Sequence, residues 1–143
     1  QQMFDDARAA GLALFVREGY RTTKEQQQIM DDRIKEHENQ GCSKKEAKKK
    51  AEEYVAIPGT SEHQLGLSVD INADTSKCSS DAVYQWLDEN AYKYGFVKRY
   101  PEDKTDITSI NNEPWHYRYV GKDAARTMKQ ENLCLEEYLI KYK

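Results

Sequence analysis

The chain lacks what a thiolate metal site requires. Its three cysteines, Cys42, Cys78 and Cys134, are scattered and include no C-x-x-C pair, which argues against zinc held by sulfur. The odd count leaves at least one thiol free, and three unpaired thiols are expected. No apolar run is long enough to span a membrane, and no secretory leader is visible. Positive charge is not in excess either. The net charge is −3, and the basic run Lys44, Lys45, Lys48, Lys49, Lys50 is interleaved with Glu46, Glu52 and Glu53. Nucleic acid is therefore not an expected partner. Neither an internal repeat nor a linker divides the chain.

What remains is one domain of 143 residues with room for one core. Its mean hydropathy of −0.99 is low for a globular protein. Ten Tyr, two Trp and three Phe nevertheless argue against disorder. The excess charge sits mostly in residues 31–53. Because Gln1-Gln2-Met3 already lies inside a helical pattern, the chain reads as an excised domain from which a leader or anchor could have been removed.

The pattern predicts helix over residues 2–10, stopped by Gly11, then a buried strand at Leu12 to Val16. Thr22 with Glu25 forms a capping box for a helix reaching about Asn39. Ser43 with Glu46 forms a second, for a helix over about 44–55. These two helices make a charged hairpin. Its ordinary reading is a solvated excursion; its functional one is a lid or wall beside a cleft. Gly66 to Ile71 alternates as a strand, with Leu67, Val69 and Ile71 on one face and Ser68 and Asp70 on the other. Ser80 can cap a helix over 81–94, ended by Gly95. Strands are expected at Phe96 to Tyr100 and Trp115 to Val120, a loop at Pro101 to Thr105, and helices at 122–132 and 135–142. The fold class is α+β, a small antiparallel sheet packed against helices with its site in a cleft.

Two short segments carry the chemistry: Ser61 to Asp70 (S-E-H-Q-L-G-L-S-V-D) and Glu113 to His116 (E-P-W-H). His63, Asp70 and His116 make an N/O ligand set suited to Zn2+ with one position left for water. Glu113 is the candidate general base, brought toward His116 by a break at Pro114. Arg21 follows a strand end and a turn at Gly19, a place that suits a substrate carboxylate or a developing oxyanion. Ser61 and Gln27 are candidate substrate-contacting residues. Trp115 and Tyr117 are expected to pack beneath the site. His37 lies in the charged hairpin and is given no role.

With Gly19 to Gln27 (G-Y-R-T-T-K-E-Q-Q), Pro58 to Asp70 and the run from Tyr94 to Gly121, these segments resemble the VanY-type D-alanyl-D-alanine carboxypeptidases of peptidase family M15B, to which the bifunctional VanXY enzymes are related. The resemblance covers about residues 3–140. It implies the M15-type peptidase fold and a zinc enzyme that removes the terminal D-Ala from peptidoglycan stem peptides ending in D-Ala-D-Ala. His63, Asp70 and His116 fall on the zinc-ligand positions and Glu113 on the catalytic base. Arg21 falls on the transition-state arginine, and Ser61 and Gln27 on substrate-contacting positions. Ser68 stands where the family often has Ala, so a small residue is kept. The start of the chain lacks much of the segment usually found before the first helix. The family implies a location outside the cytoplasmic membrane with an N-terminal anchor, whereas VanXY-like members are cytoplasmic. A monomer is expected.

Two rivals keep the zinc site and change the substrate: a D,D-dipeptidase or bifunctional VanXY-like enzyme, and an L,D-carboxypeptidase acting on tetrapeptides. A third is a cell-wall binding module that has lost catalysis. The full set of ligands, base and arginine argues against it. Vancomycin binds stems ending in D-Ala-D-Ala, so trimming them links the leading reading to resistance.

Overall fold

A computed structural model describes residues 1–143, and its architecture is that of the expected α+β class. The elements run α1 (Gln2–Ala9), β1 (Leu14–Glu18), α2 (Thr23–Asn39), α3 (Lys44–Glu52), β2 (Ser68–Ala73), α4 (Ser80–Asn90), β3 (Phe96–Lys98), α5 (Thr105–Thr108), β4 (His116–Tyr119), α6 (Lys122–Glu131) and α7 (Leu135–Tyr142). The four strands form one antiparallel sheet in the order β1-β2-β4-β3.

Register decides what the sheet can do. Val69 pairs with Tyr117, and Asp70 with His116. Directly opposed residues share a face, and neighbours along a strand alternate. One face therefore carries Val69, Ile71, Ala73 and Tyr117. It packs against Met3 and Ala7 of α1 and Val83 and Leu87 of α4 to make the main core. The other face carries Ser68, Asp70, His116 and Arg118, a polar set that no helix of the core covers. The sheet is thus a partition, with apolar packing behind and a polar site in front.

Both predicted capping boxes are present, at Thr22 with Glu25 and at Ser43 with Glu46. Helices α2 and α3 close on each other through Met30, Ala51 and Val55, with Ile29 and Ile34 beside them. The charged hairpin therefore has its own small core, and its inner face is a wall of the cavity described below.

Several boundaries differ from expectation. The first strand is Leu14–Glu18 and lies at the sheet edge, so Phe15 and Val16 are exposed rather than buried. Only Leu14 reaches the core. Leu67 precedes its strand and is 40% exposed, outside the apolar face of Val69 and Ile71. The cap of α4 is Ser79, whose hydroxyl accepts from the Ala82 amide at 3.1 Å; of two adjacent serines, the earlier one caps. The helix narrows to a 3-10 turn over Ala91–Tyr94 before Gly95 at φ +90°. Pro101 to Thr105 is not an open loop: a 3-10 turn at Glu102–Lys104 leads into α5. All three cysteines are free, as expected.

Candidate metal centre and cleft

His63 sits in a 3-10 turn, Glu62–Leu65, that closes on Gly66 at φ +69°. That left-handed residue turns the chain into β2 and brings His63 over the polar face of the sheet. The register of β2 with β4 supplies the other two groups, since Asp70 and His116 are cross-strand neighbours. Three ligand atoms then form a near-equilateral triangle. His63 Nε2 lies 3.2 Å from His116 Nδ1 and 3.3 Å from Asp70 Oδ1, and His116 Nδ1 lies 3.0 Å from Asp70 Oδ1. Around a tetrahedral Zn2+ with bonds of 2.0–2.1 Å, neighbouring ligand atoms are about 3.3 Å apart. The triangle has the size of one face of that tetrahedron, which leaves a fourth corner open.

Each ligand is held by its other polar atom. His63 Nδ1 donates to the Gly19 carbonyl at 2.7 Å, freeing Nε2. Arg21 Nη2 donates to Asp70 Oδ2 at 3.3 Å, freeing Oδ1. His116 Nε2 lies 3.3 Å from Glu62 Oε2, so its Nδ1 faces the triangle. Partners of this kind fix ring orientation and tautomer in metal sites. The electrostatics also suit a cation. Hydrogen bonds to the two histidines hold the Asp70 carboxyl well below its ordinary range, against burial. Burial alone would lower His116, but its bonds to Asp70 and Glu62 outweigh that and raise it to about 9. An imidazole that holds its proton so tightly marks a place where positive charge is favoured, and a divalent metal would supply that charge in the proton's stead.

Glu113 lies just outside β4. Its amide donates to the Tyr100 carbonyl at 3.0 Å, and the His116 amide returns to the Glu113 carbonyl at 3.2 Å. This turn at Pro114 overcomes the alternation of a strand and brings Glu113 Oε2 to 3.8 Å from His116 Nδ1. Desolvation raises the Glu113 carboxyl to about 7, with Asp70 and Glu62 adding to the rise and His116 and Arg21 opposing it. A carboxyl near neutrality is suited to taking and returning a proton. Arg21 is fixed from three sides, by Asp70, by Glu18 at 3.2 Å and by Gln26 at 3.3 Å.

These groups line a cavity of about 460 Å³. Ser61 lies on its wall, as do Ile29, Tyr54 and Val55 of the α2–α3 hairpin. Gln27 does not: it is exposed and bonds to Asp31 one turn along α2. Its neighbour Gln26 is the residue that enters, 1% exposed and bonded to Arg21 and to the Ala56 carbonyl. Adjacent helical positions are about 100° apart, so only one of the two glutamines can face inward. Trp115 also differs from expectation by lining the cavity, whereas Tyr117 packs in the core as expected. Sequence reasoning missed Glu62, which is 9% exposed and touches His116, Ser68, Arg99 and Arg118. The signal was weak: an acidic residue beside a ligand histidine, with Arg118 on β4 and Arg99 just past β3, both distant in sequence.

A family model described as VanY, D-alanyl-D-alanine carboxypeptidase, matches residues 1–122. A D-alanyl-D-alanine carboxypeptidase of Enterococcus faecalis is 57% identical over 139 residues, 97% of this chain and 52% of that protein. The chain thus spans about half the length of this curated relative. Among solved structures, VanYB in complex with D-alanine-D-alanine superposes with a TM-score of 0.98 at 56% identity, covering 100% of this chain and 79% of that one. A mutant of the vancomycin resistance D,D-pentapeptidase VanY in complex with Zn(II) gives a TM-score of 0.95 at 57% identity, covering 97% and 78%.

Proposed function

The chain belongs to the VanY family of D-alanyl-D-alanine carboxypeptidases, and on that footing we propose that it removes the terminal D-Ala from peptidoglycan stem peptides by zinc-dependent hydrolysis. The observation that carries this reading is the triangle of His63, Asp70 and His116 with Glu113 at its rim. In it, those three residues hold Zn2+. When bound, the metal supplies Lewis acidity and a water of pKa near 7.

The chain's own residues do the rest. Glu113 accepts the proton of the attacking water and returns it to the leaving amine of D-Ala. Desolvation makes both halves of that exchange feasible, because the carboxyl is poised near 7. Arg21, held by Asp70, Glu18 and Gln26, presents its guanidinium to the oxyanion without reorganising. Ser61 and Gln26 position the peptide from the cavity wall, Gln26 acting through Arg21. No helix is long and apolar enough to cross a membrane. The proposed site of action is the cell wall, outside the cytoplasmic membrane.

The test is D-Ala release, with and without a chelator, from a pentapeptide stem ending in D-Ala-D-Ala, from free D-Ala-D-Ala, and from a tetrapeptide stem. Chelator-sensitive release mainly from the pentapeptide is the expected result. Release mainly from the dipeptide or the tetrapeptide would keep the zinc site and overturn the substrate. Loss of stems ending in D-Ala-D-Ala would also lower vancomycin binding. A host expressing the protein should then be less susceptible than one expressing Glu113→Ala, and equal susceptibility would refute that link.

A further inference from the structure

Glu62 makes contacts that the proposed chemistry does not use. Its Oε2 takes the Ser68 hydroxyl at 2.9 Å and lies 3.3 Å from His116 Nε2. Its Oε1 takes Arg99 Nε at 2.5 Å and Arg118 Nη1 at 3.2 Å. Both oxygens are thus doubly engaged in a place that water barely reaches. Arg99 is bound in turn by a two-pronged pair to Glu136 of α7, at 3.0 and 2.6 Å. The guanidinium lies 4.8 Å from the centroid of the Tyr100 ring, which is itself tilted against the His116 ring at 5.1 Å. A continuous chain of contacts therefore runs from the C-terminal helix through Arg99 and Glu62 to one imidazole of the metal centre.

We propose that Glu62, locked in place by Arg99 and Arg118 and through Arg99 by Glu136, is a positioning residue that fixes which nitrogen of His116 faces the metal. The proposal rests on the zinc reading of the site. Imidazole offers either nitrogen, and neutral histidine keeps its single proton on one of them. His63 presents Nε2 because a backbone carbonyl takes its Nδ1–H. His116 must present the opposite atom, Nδ1, and the Glu62 carboxylate accepts the Nε2–H that enforces this.

The ionised state of Glu62 matters as much as its position. Arg99 and Arg118 both place a guanidinium on the carboxylate that touches His116. Without it, Arg118 would lose its carboxylate and Arg99 would keep only Glu136, and repulsion of a dication would add to the lost orientation. Glu136 acts at one remove. Removing it frees one side of Arg99 but leaves the Glu62–His116 contact, so its loss should be milder.

The experiment measures zinc affinity of the full chain by competition with a chromophoric chelator, for wild type, Glu62→Ala, Glu62→Gln and Glu136→Gln. Circular dichroism establishes that each is folded. The 15N shifts of His116 in the zinc-loaded proteins report which nitrogen carries hydrogen. Losing a partner of a metal-bound histidine typically weakens binding 10–100-fold. Glu62→Ala should fall in that range, with an altered His116 signature, and Glu62→Gln, which keeps an acceptor but not the charge, should fall between. Glu136→Gln should lose a few-fold, and it carries the test if Glu62→Ala does not fold. A folded Glu62→Ala with wild-type affinity and an unchanged His116 signature would overturn the proposal while leaving the zinc site intact; if Glu136→Gln carries the test, the same result there would overturn it. Failure of the wild type to bind zinc would instead overturn the metal reading, and the proposal with it.

Discussion

Replacing Glu113 with Gln should cut turnover sharply and at the same time stabilise the metal-free protein, and the size of that stabilisation follows from the site. Glu113 is 5% exposed and its carboxyl titrates near 7 instead of 4.5, chiefly because burial disfavours the charged form. The folded state therefore holds the proton more tightly than the unfolded state does. Stability from this group is fully present below about 4.5 and is lost as pH rises through 7. At 1.36 kcal/mol for each tenfold change, the ionised carboxylate costs the fold roughly 3 kcal/mol at pH 8 and about 1 kcal/mol at pH 5. Gln is a neutral isostere and carries none of that penalty. Urea unfolding in excess chelator should show Glu113→Gln more stable than wild type by about 1 kcal/mol at pH 5, rising to ~3 kcal/mol at pH 8. With zinc restored, kcat should fall by roughly 10²–10⁴-fold. Equal stability of the two proteins at pH 8 would refute the claim that this carboxyl is strained by burial, and with it the reason it serves as a base.

Other outcomes follow from the same geometry. His116 holds a proton up to about 9 in the absence of metal, so zinc must displace it; affinity should fall as pH drops below 9. Calorimetry at pH 7 in buffers of different ionisation enthalpy should register about one proton released, and none would count against the site. Gln26→Ala should lower kcat/KM by tenfold or more because Arg21 and the Ala56 carbonyl lose a partner, whereas Gln27→Ala should leave it unchanged. Equal effects in a steady-state assay would contradict the helix phase. At Gly95 a Cβ would sit 2.8 Å from Tyr119 Cε2 and 3.1 Å from the Gly121 backbone, at φ +90°. Gly95→Ala should cost on the order of 2–4 kcal/mol, and an unchanged melting temperature would show that the turn can relax.

What the sequence made legible follows physical range. Local signals were reliable: both capping boxes, the α-carbon freedom needed at Gly66, and the chain break at Pro114 each depend on neighbours within a few residues. The alternation in β2 put Asp70 opposite the core-facing residues, and only the pairing with β4 brought it against His116. Strand ends were harder, because Phe15 and Val16 look like core until the sheet order makes β1 an edge. Gln26 and Gln27 are chemically identical, and one step of helix phase separates an inward residue from a solvated one. Glu62 was invisible for a different reason. Its meaning lies in Arg99, Arg118 and Glu136, which are remote in sequence and meet it only after folding.

The central claim is that His63, Asp70 and His116 together hold one zinc ion. X-ray absorption at the zinc edge, on protein loaded with one equivalent, tests it most directly. The account predicts two imidazole nitrogens and one carboxylate oxygen at about 2.0–2.2 Å with a light fourth ligand, and loss of that signal in His116→Ala. A shell of sulfur near 2.3 Å, or zinc that washes out of the wild type, would contradict it.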